Sequence, residues 1–377
     1  MSGRGRWSAV RDPLLLVGGT VVVSLAWAGL GLPSPVLFGS LLTGLAHALL
    51  APRLLGPRCT GGPVRPLTLP PWLFRVGQAV VGVTIGAMIS VEALGRMLED
   101  AAAIVAVTLG TLLLSLGGGL LLARRPDVSP VTGTFALVAG GASGVVSVAH
   151  DLGADDRVVT VVQYLRVLVV LLSLPVVVTL VFDPRRGQGE MVLPDTALGT
   201  DLAFAVLAIA LGLLLARWVP VPTAALLGPL VAGAVLAGSG WLGEVVVPQP
   251  VQWAGYALIG VQVGLRFTRD SLASIARMLP LVLALIVALI VSCGGLAALL
   301  AWLTPVDGYT AYLATTPGGL FAVLATAADT GVDVTYVMAV QLFRLLVILL
   351  LTPVVARRLG GAGGRGGPGG LGRRSAG

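Results

Sequence analysis

Two arginines lie in the middle of strongly apolar segments of this chain, and each follows a glutamine by three residues. The pairs are Gln163/Arg166 and Gln341/Arg344, and this spacing places both side chains of a pair on one helix face. Each arginine lies about ten residues, or roughly 14 Å, into its apolar segment, near the middle of a bilayer. An arginine there costs at least about 2.5–3.5 kcal/mol. Its guanidinium therefore binds an anion, pairs with a carboxylate, reaches a lipid headgroup or is tied to the carbonyls of a broken helix.

Glycine-rich interruptions lie upstream of both glutamine–arginine pairs. The first is residues 139–144 (AGGASG) and the second is residues 315–319 (TTPGG). A membrane tolerates such breaks in helical hydrogen bonding only inside protein or along a wet cavity. In transporters, the amides freed at a break bind anionic groups and the freed carbonyls bind cations. The predicted substrate-binding residues are Gly140, Gly141, Ser143, Gln163, Arg166, Thr315, Thr316, Gly318, Gly319, Gln341 and Arg344.

Close packing of helices through small residues is the alternative role for these glycines. We predict a discontinuous helix at the second interruption, because Pro317 also stands there. Asp155 and Asp333, each eight residues before a glutamine, are predicted to be helix N-caps. A spacing of four residues between glycines predicts helix packing at two further places, Gly82/Gly86 and Gly260/Gly264.

The interruptions and the glutamine–arginine pairs belong to an internal repeat. Residues 140–177 align without gaps onto residues 318–355 at a constant offset of 178, and 18 of the 38 aligned positions are identical. Such a repeat decides the architecture, so it is recognised before a fold is assigned. It also selects candidates for function. His150, Cys59 and Cys293 are excluded, because they lack counterparts in the other copy.

Composition assigns the chain to the membrane proteins. Hydrophobic residues make up 56% of the 377 residues, charged residues make up 11%, and the mean hydropathy is +0.98. We therefore predict an all-α fold, a polytopic transmembrane helical bundle of about 10–12 helices in two homologous halves with broken helices. The predicted boundaries are 1–12 for an N-terminal tip, 13–186 for the first membrane repeat, 187–358 for the second, and 359–377 for a disordered Gly/Arg tail.

Arginines in the loops predict the orientation in the membrane. If every segment crosses, five arginine clusters fall on one side, at residues 4–11, 53–65, 124–125, 185–186 and 357–358. The positive-inside rule then predicts a multi-pass protein of the cell membrane with both termini in the cytoplasm. Arg266, Arg269 and Arg277 would lie outside, so either a segment is re-entrant or this loop is an exception. Because equivalent loops of the two halves carry the same sign, we predict parallel and not inverted halves.

The sequence supports neither catalytic residues nor a metal site nor a cofactor. His47 and His150 have no partners at ligand spacing, and no nucleophile–base pair, P-loop or dinucleotide fingerprint is visible. The arginines are scattered and form no basic face for a nucleic acid. The expected partners are therefore membrane lipid and a small-molecule solute, with no nucleic acid, and the oligomeric state stays open.

The duplicated pattern resembles a known family. The motif GG…A…GAD…V…VQ..R, followed by PGG…A…G.D…V…VQ..R, is similar to the AbrB-type family of duplicated membrane proteins, over nearly the whole chain. The resemblance implies a bundle of some ten to twelve helices related to secondary transporters. Members are labelled as ammonia monooxygenases or as regulators of gene expression. Only the second repeat has the proline before its glycines, so we expect a lopsided site.

Secondary transport or export of a small anionic or zwitterionic solute is the function that we expect from these residues. Arg166 and Arg344 would supply positive charge, Gln163 and Gln341 neutral hydrogen bonds, and the glycine amides close contacts. The alternative is a membrane protein with an indirect role in the regulation of gene expression. The third interpretation, a membrane oxygenase, requires several histidine or carboxylate ligands for copper or iron.

Overall fold

The computed structural model describes the chain as an all-helical bundle. The described residues are 3–54, 67, 69–89, 95, 98–138, 154–182, 197–218, 223–267, 269, 273 and 275–363, without the side chains of 3–11, 51–54, 349 and 352–363. These residues form thirteen α-helices and no β-strand. The predicted all-α transmembrane bundle is therefore confirmed.

The helices follow the order of the repeat. The first half contains α1 (Gly3–Gly29), α2 (Pro35–Leu54), α3 (Pro71–Ala87), α4 (Ala101–Leu122), α5 (Pro130–Leu137) and α6 (Asp156–Val177), which continues as a π-helical turn (Val178–Phe182). The second half contains α7 (Leu198–Ala216), α8 (Ala224–Gly238), α9 (Gln249–Leu265), α10 (Leu279–Leu303), α11 (Gly308–Thr315), α12 (Leu320–Thr330) and α13 (Val334–Gly363).

Five helices are long and apolar enough by length and composition to cross a membrane. They are Asp12–Gly29, Ala101–Leu122, Asp156–Phe182, Leu198–Ala216 and Leu279–Leu303. Shorter apolar helices lie at Pro35–Leu50, Ala224–Gly238, Leu320–Thr330 and Val334–Ile348. Large apolar side chains are exposed along the longer helices, which is the surface expected for contact with lipid, whose tails are as apolar as leucine; examples are Leu113, Val206 and Val291.

Aspartate N-caps begin the two helices that carry the glutamine–arginine pairs. Asp155 Oδ1 accepts hydrogen bonds from the amides of Arg157 and Val158 at the start of α6. Asp333 Oδ1 accepts one from the amide of Tyr336 at the start of α13. Both predicted N-caps are therefore present, and each satisfies amides that have no partner within the helix.

The equivalent helices α4 and α10 pack against each other in opposite directions. A Cβ atom on Gly110 of α4 would lie 3.2 Å from the side chain of Leu296, late in α10. At the other end, Arg125 Nη1, just after α4, donates to the carbonyl of Arg277, just before α10, at 3.0 Å. Equivalent helices that run antiparallel make the two halves inverted, so the prediction of parallel halves is wrong.

Glycines form reciprocal contacts between the inverted halves. At the four glycines of the two predicted packing motifs, a Cβ atom would come within 3.0 Å of backbone atoms in the opposite half. The contacts are Gly82 with Leu226, Gly86 with Leu230, Gly260 with Leu37, and Gly264 with Leu41. The first two join α3 to α8, and the last two join α9 to α2 in the same geometry. The predicted packing role of these four glycines is therefore confirmed.

A pseudo-two-fold axis passes close to the point where α3 crosses α9. Gly77 of α3 and its repeat counterpart Gly255 of α9 contact each other there: a Cβ on Gly77 would lie 3.1 Å from the Gly255 carbonyl oxygen, and a Cβ on Gly255 3.5 Å from that of Gly77. Equivalent residues contact each other only at a symmetry axis. The axis lies in the plane of the membrane, because it inverts the direction of the helices.

The short helix α5 enters the bundle from the face at which α6 also begins. Thr132 Oγ1, in the first turn of α5, accepts a hydrogen bond from the amide of Asp155, the N-cap of α6, at 3.0 Å. Helices α5 and α6 therefore start at the same face of the bundle. Apart from α5 and the α11–α12 pair, the described residues of each half contain five helices. An odd number of crossings in each half would explain why the loop-charge argument assigned the wrong symmetry.

The second half has the same re-entrant arrangement from the opposite face. Tyr309 at the start of α11 lies beside Asp329 and Thr330 at the end of α12, and α13 begins four residues after α12 ends. Helices α11 and α12 thus run into the bundle and back out. At 8 residues, α11 spans about 12 Å, which is less than half of a bilayer core.

The described end arginines lie at one end of the bundle, which also carries Asp12, Asp127, Asp155 and Asp156, whereas the other end carries carboxylates. We call the end at which α2, α4, α7 and α9 finish the arginine face; its described arginines are Arg75, Arg124, Arg125, Arg157, Arg217, Arg266, Arg269 and Arg277. The other end is the acidic face; its described carboxylates are Glu99, Asp100, Asp201, Glu244, Asp307, Asp329 and Asp333. The three arginines of the α9–α10 connection, which contradicted the sequence-based orientation, therefore lie with the other arginines.

Arg269 and Arg125 hold the arginine face together. Arg269 Nε donates to the carbonyl of Leu49 in α2 at 2.5 Å. Arg125 Nε donates to Asp127 Oδ1 at 3.0 Å, and this hydrogen bond lowers the pKa of the exposed Asp127 carboxyl. The hydrogen bond from Arg269 to Leu49 and the one from Arg125 to the carbonyl of Arg277 tie the α9–α10 connection of the second half to the first half.

Candidate functional site

In the first half, Gln163 and Arg166 of α6 hold the inner end of α5. Gln163 Nε2 donates to the carbonyl of Phe135 at 2.7 Å, and Arg166 Nη1 donates to the carbonyl of Leu137 at 2.7 Å. The last carbonyls of a helix have no partner within the helix and carry its negative dipole end. The amide and the guanidinium therefore stabilise a helix end that would otherwise be unsatisfied in the membrane interior.

The second half repeats this arrangement at equivalent atoms. Gln341 Nε2 donates to the carbonyl of Leu313 at 2.8 Å, and Arg344 Nη1 donates to the carbonyls of Thr315 at 3.4 Å and Thr316 at 2.6 Å. Leu313 and Thr315 are the repeat counterparts of Phe135 and Leu137. Of the roles that the sequence left open for the arginines, attachment to the carbonyls of a broken helix is thus observed in both halves.

Each arginine keeps a donor that this attachment does not use. Arg166 and Arg344 are 3% and 6% exposed, and the buried Nε–H group of each has no hydrogen-bond partner among the described residues. No carboxylate among the described residues forms an ion pair with either guanidinium. Two buried cations therefore remain without a described counter-ion, and a charge in such an environment is strongly stabilised by an anion.

The two halves meet at these arginines. A Cβ atom on Gly318, in the break of the second half, would lie 3.7 Å from Arg166 Nε of the first half. Arg166 and Arg344 are close enough to repel each other, and the thiol of Cys293 in α10 lies near both. Each arginine lies ten residues after the start of its helix, about 15 Å along the axis. The site is therefore at the middle of the bundle.

The break between α11 and α12 requires glycine. Gly318 and Gly319 have φ values of 152° and 72°, which side chains with a Cβ rarely adopt. A Cβ on Gly319 would also lie 2.6 Å from Leu171 of α6. Gly319 caps α12 without a side-chain hydrogen bond, so the first amides of this helix point towards the region of the break. The predicted discontinuous helix is therefore present at Pro317.

The two halves of the site differ in one hydrogen bond. Gln341 Oε1 accepts from Arg344 Nη2, whereas the buried Gln163 Oε1 has no partner among the residues that the structure describes. The first half thus offers an acceptor as well as a donor, and the second half offers a donor. Because of this difference, the two halves of the site present different polar groups.

The structure brings most of the predicted site residues to one place. Thr315 and Thr316 contribute carbonyls, while their hydroxyls donate to the carbonyls of Ala311 and Tyr312 in their own helix. Those that converge are Gln163, Arg166, Thr315, Thr316, Gly318, Gly319, Gln341 and Arg344. Gly140, Gly141 and Ser143 lie outside the described residues, so their predicted role stays a prediction.

Cys293 is a site neighbour that the sequence argument excluded. It is 1% exposed, and its carbonyl accepts a hydrogen bond from Thr315 Oγ1 at 3.3 Å. At the offset of 178 its counterpart is Ser115 of α4, which is 2% exposed. The pair of small polar residues was overlooked because only identical counterparts were considered. In the described part of the chain, no three His, Cys, Asp or Glu side chains are grouped to hold a metal ion.

Comparisons with known proteins agree with this architecture. Residues 53–360 match the family AbrB, described as "Transition state regulatory protein AbrB". The chain is 31% identical over 339 residues to "Putative regulator AbrB" of Escherichia coli (strain K12), which covers 90% of this chain and 93% of that relative. It is 25% identical over 308 residues to "Uncharacterized protein YhjN" of Bacillus subtilis (strain 168), covering 76% and 78% of the two chains. The chain therefore belongs to the AbrB family.

Proposed function

We propose that this protein is a secondary transporter of a small anionic solute, and that the solute binds between Arg166 and Arg344. The observation that carries the proposal is the pair of buried guanidinium groups beside the inner ends of α5 and α11, each with an Nε–H group that has no partner in the described part of the chain. An anion with two acceptor atoms would occupy both donors and neutralise the repulsion between them.

The inverted symmetry supports transport. Transporters of this class bind their substrate near the middle of the membrane, at the interface of two inverted repeats and at the ends of discontinuous helices. Here the two re-entrant segments enter from opposite faces and meet at the same pair of arginines. Alternating access would then expose the arginine pair to one face at a time, because each face is closed by the opposite re-entrant segment.

The arginine face supports an orientation in the cell membrane. By the positive-inside rule this face is cytoplasmic, and the acidic face lies outside. If the five helices of each half other than α5, α11 and α12 all cross the membrane, α1 starts and α13 ends on the cytoplasmic side. An electrochemical gradient would drive the transport, because no nucleotide-binding motif occurs in the sequence.

Two successive experiments test the proposal. A metabolomic comparison of a deletion strain with its parent identifies solutes that accumulate or disappear. Flux of such a solute into membrane vesicles is then measured for Arg166→Ala, Arg344→Ala and the control Arg217→Ala, whose side chain lies at the arginine face. We expect the first two variants to lose flux and the control to retain it. Normal flux in both site variants, at equal amounts of inserted protein, would overturn the proposal.

A regulatory role is the second candidate, because the family description and the name of one relative both refer to regulation. A transporter regulates gene expression indirectly when it sets the concentration of a signalling solute. If expression changes in the deletion strain are restored by Arg344→Ala, regulation does not depend on the transport site. An oxygenase, the third candidate, would require copper or iron in the purified protein.

A further inference from the structure

An apolar cavity of about 360 Å³ lies between α4 and α10. Its outer rim includes Leu113 and Leu121, which are 67% and 43% exposed, so the cavity opens towards the lipid. Among the described residues that line it, only Ser115 and Ser292 have polar side chains. Ligand pockets typically have such a wall of apolar side chains with few polar groups.

The inner end of this cavity adjoins the arginine pair. Leu137 lines the cavity, and its own carbonyl accepts the hydrogen bond from Arg166 Nη1 at 2.7 Å. Ser292, which also lines it, directly precedes Cys293, and the thiol of Cys293 lies near both Arg166 and Arg344. An apolar chamber that faces lipid therefore ends beside two buried cations with unused donors.

We infer that the transported anion is amphipathic: a single-tailed organic carboxylate whose head binds Arg166 and Arg344 and whose tail fills the cavity between α4 and α10. This inference rests on the proposed transport function and narrows its substrate class. The charge of the arginines selects the head, and the leucines of the cavity select the tail.

The volume of the cavity favours a ligand with a single apolar tail. A cavity of about 150 Å³ already holds a benzene ring, so a volume of 360 Å³ accommodates one ring or a medium-length acyl chain. A phospholipid with two long chains exceeds this volume. The open rim lets the tail enter from the lipid side.

Gly117 provides a variant that fills the cavity without disturbing the fold. It lines the cavity, and a Cβ atom on it would meet no atom within 4 Å. Gly117→Leu therefore narrows the cavity, and leucine also suits a helix better than glycine. Gly295→Leu is the matched control, because Gly295 lies in α10 outside the cavity wall and is equally unobstructed.

The test measures binding of radiolabelled octanoate and acetate to the full-length protein in nanodiscs, with empty nanodiscs as background. We expect the unaltered protein to bind octanoate at least about tenfold more tightly than acetate, because each buried methylene adds affinity. Gly117→Leu should weaken octanoate binding by about tenfold and leave acetate binding unchanged. Gly295→Leu should change neither, and Arg166→Ala should weaken both.

The outcomes separate this inference from the proposed function. If a short polar anion binds in an arginine-dependent way while octanoate gains nothing and Gly117→Leu has no effect, the amphipathic substrate is wrong and the transport proposal stands. If no anion binds in an arginine-dependent way, both fail. If octanoate binds equally to Arg166→Ala, the cavity holds lipid-like tails unspecifically, which overturns the inference.

Discussion

At the scale of single residues, each arginine of the site combines two tasks. One nitrogen holds the carbonyl end of a short helix, and another nitrogen, Nε, is left for a ligand. Arginine is suited to this because its planar guanidinium presents five donors in a fixed geometry. Lysine carries the same charge at a single point and cannot serve both partners in the same way.

Replacement of the arginines by lysine separates charge from geometry. We expect Arg166→Lys or Arg344→Lys to leave insertion intact and to weaken solute binding by about tenfold, because the second hydrogen bond is lost. Equilibrium binding or half-saturation of flux is the measurement, and Arg217→Lys at the arginine face is the control. Unchanged affinity in both site variants would show that charge alone is required.

Gly319 permits a second prediction at this scale. Gly319→Ala places a Cβ at φ 72° and 2.6 Å from Leu171, so we expect a loss of about 1–3 kcal/mol in stability from strain and overlap. Gly331→Ala has the same strain, at φ 70°, but no atom within 4 Å. Thermal unfolding in detergent should show a larger loss for Gly319→Ala. Equal losses would mean that contact with α6 contributes nothing.

At the scale of elements, the bundle is organised by short helices and by close helix contacts at glycines, which we call glycine seams. Helix α11 has 8 residues, which is too few to cross a membrane. The carbonyl groups at its inner end therefore need hydrogen-bond donors, and side chains of α13 supply them. The seams between α3 and α8 and between α2 and α9 bring backbones close enough that only glycine fits. This close approach replaces the hydrophobic effect, which does not drive helix association in lipid.

Disruption of a seam should therefore be more damaging than the same change on a free helix face. We expect Gly86→Leu, which would meet the Leu230 backbone, to abolish monodisperse folded protein in size-exclusion chromatography. Gly18→Leu in α1 meets no atom within 4 Å and should elute as the unaltered protein does. Identical profiles for both variants would contradict the packing role of the seam.

At the scale of the whole molecule, inverted symmetry and charge distribution agree. The re-entrant segments shift each half to an odd number of crossings, so equivalent loops lie on opposite faces. Among the described residues, Arg75, Arg124, Arg125 and Arg157 of the first half and the three arginines of the α9–α10 connection then share one face. Inverted symmetry alone, or the charge distribution alone, is compatible with two orientations of the bundle in the membrane. Together they favour the orientation in which the arginine face is cytoplasmic.

Accessibility of introduced cysteines tests this orientation. In a chain whose native cysteines are replaced by Cys59→Ser and Cys293→Ser, we expect Glu244→Cys to react with a membrane-impermeant thiol reagent in intact cells. Arg277→Cys should react only after permeabilisation, because it lies at the arginine face. The reverse pattern would invert the orientation, and equal labelling of both positions would contradict the assignment of faces.

The sequence predicted the parts of the site better than their arrangement. The repeat singled out Gln163, Arg166, Gln341 and Arg344, and periodicity placed each pair on one helix face. It could not show that α5 turns back, because an apolar segment of about twenty residues looks alike whether it crosses or is re-entrant. The expectation of parallel halves was therefore wrong, and Cys293 was overlooked.

The sequence by itself determined the membrane class, the helical content, the internal repeat and the residue types of the site, since these depend on composition and on local periodicity. Only the tertiary structure decided that the halves are inverted, that Gly318 of one half meets Arg166 of the other, and that a cavity adjoins them. The physical reason is that contacts across a symmetry axis join residues far apart in the chain, and their geometry is set by packing between helices.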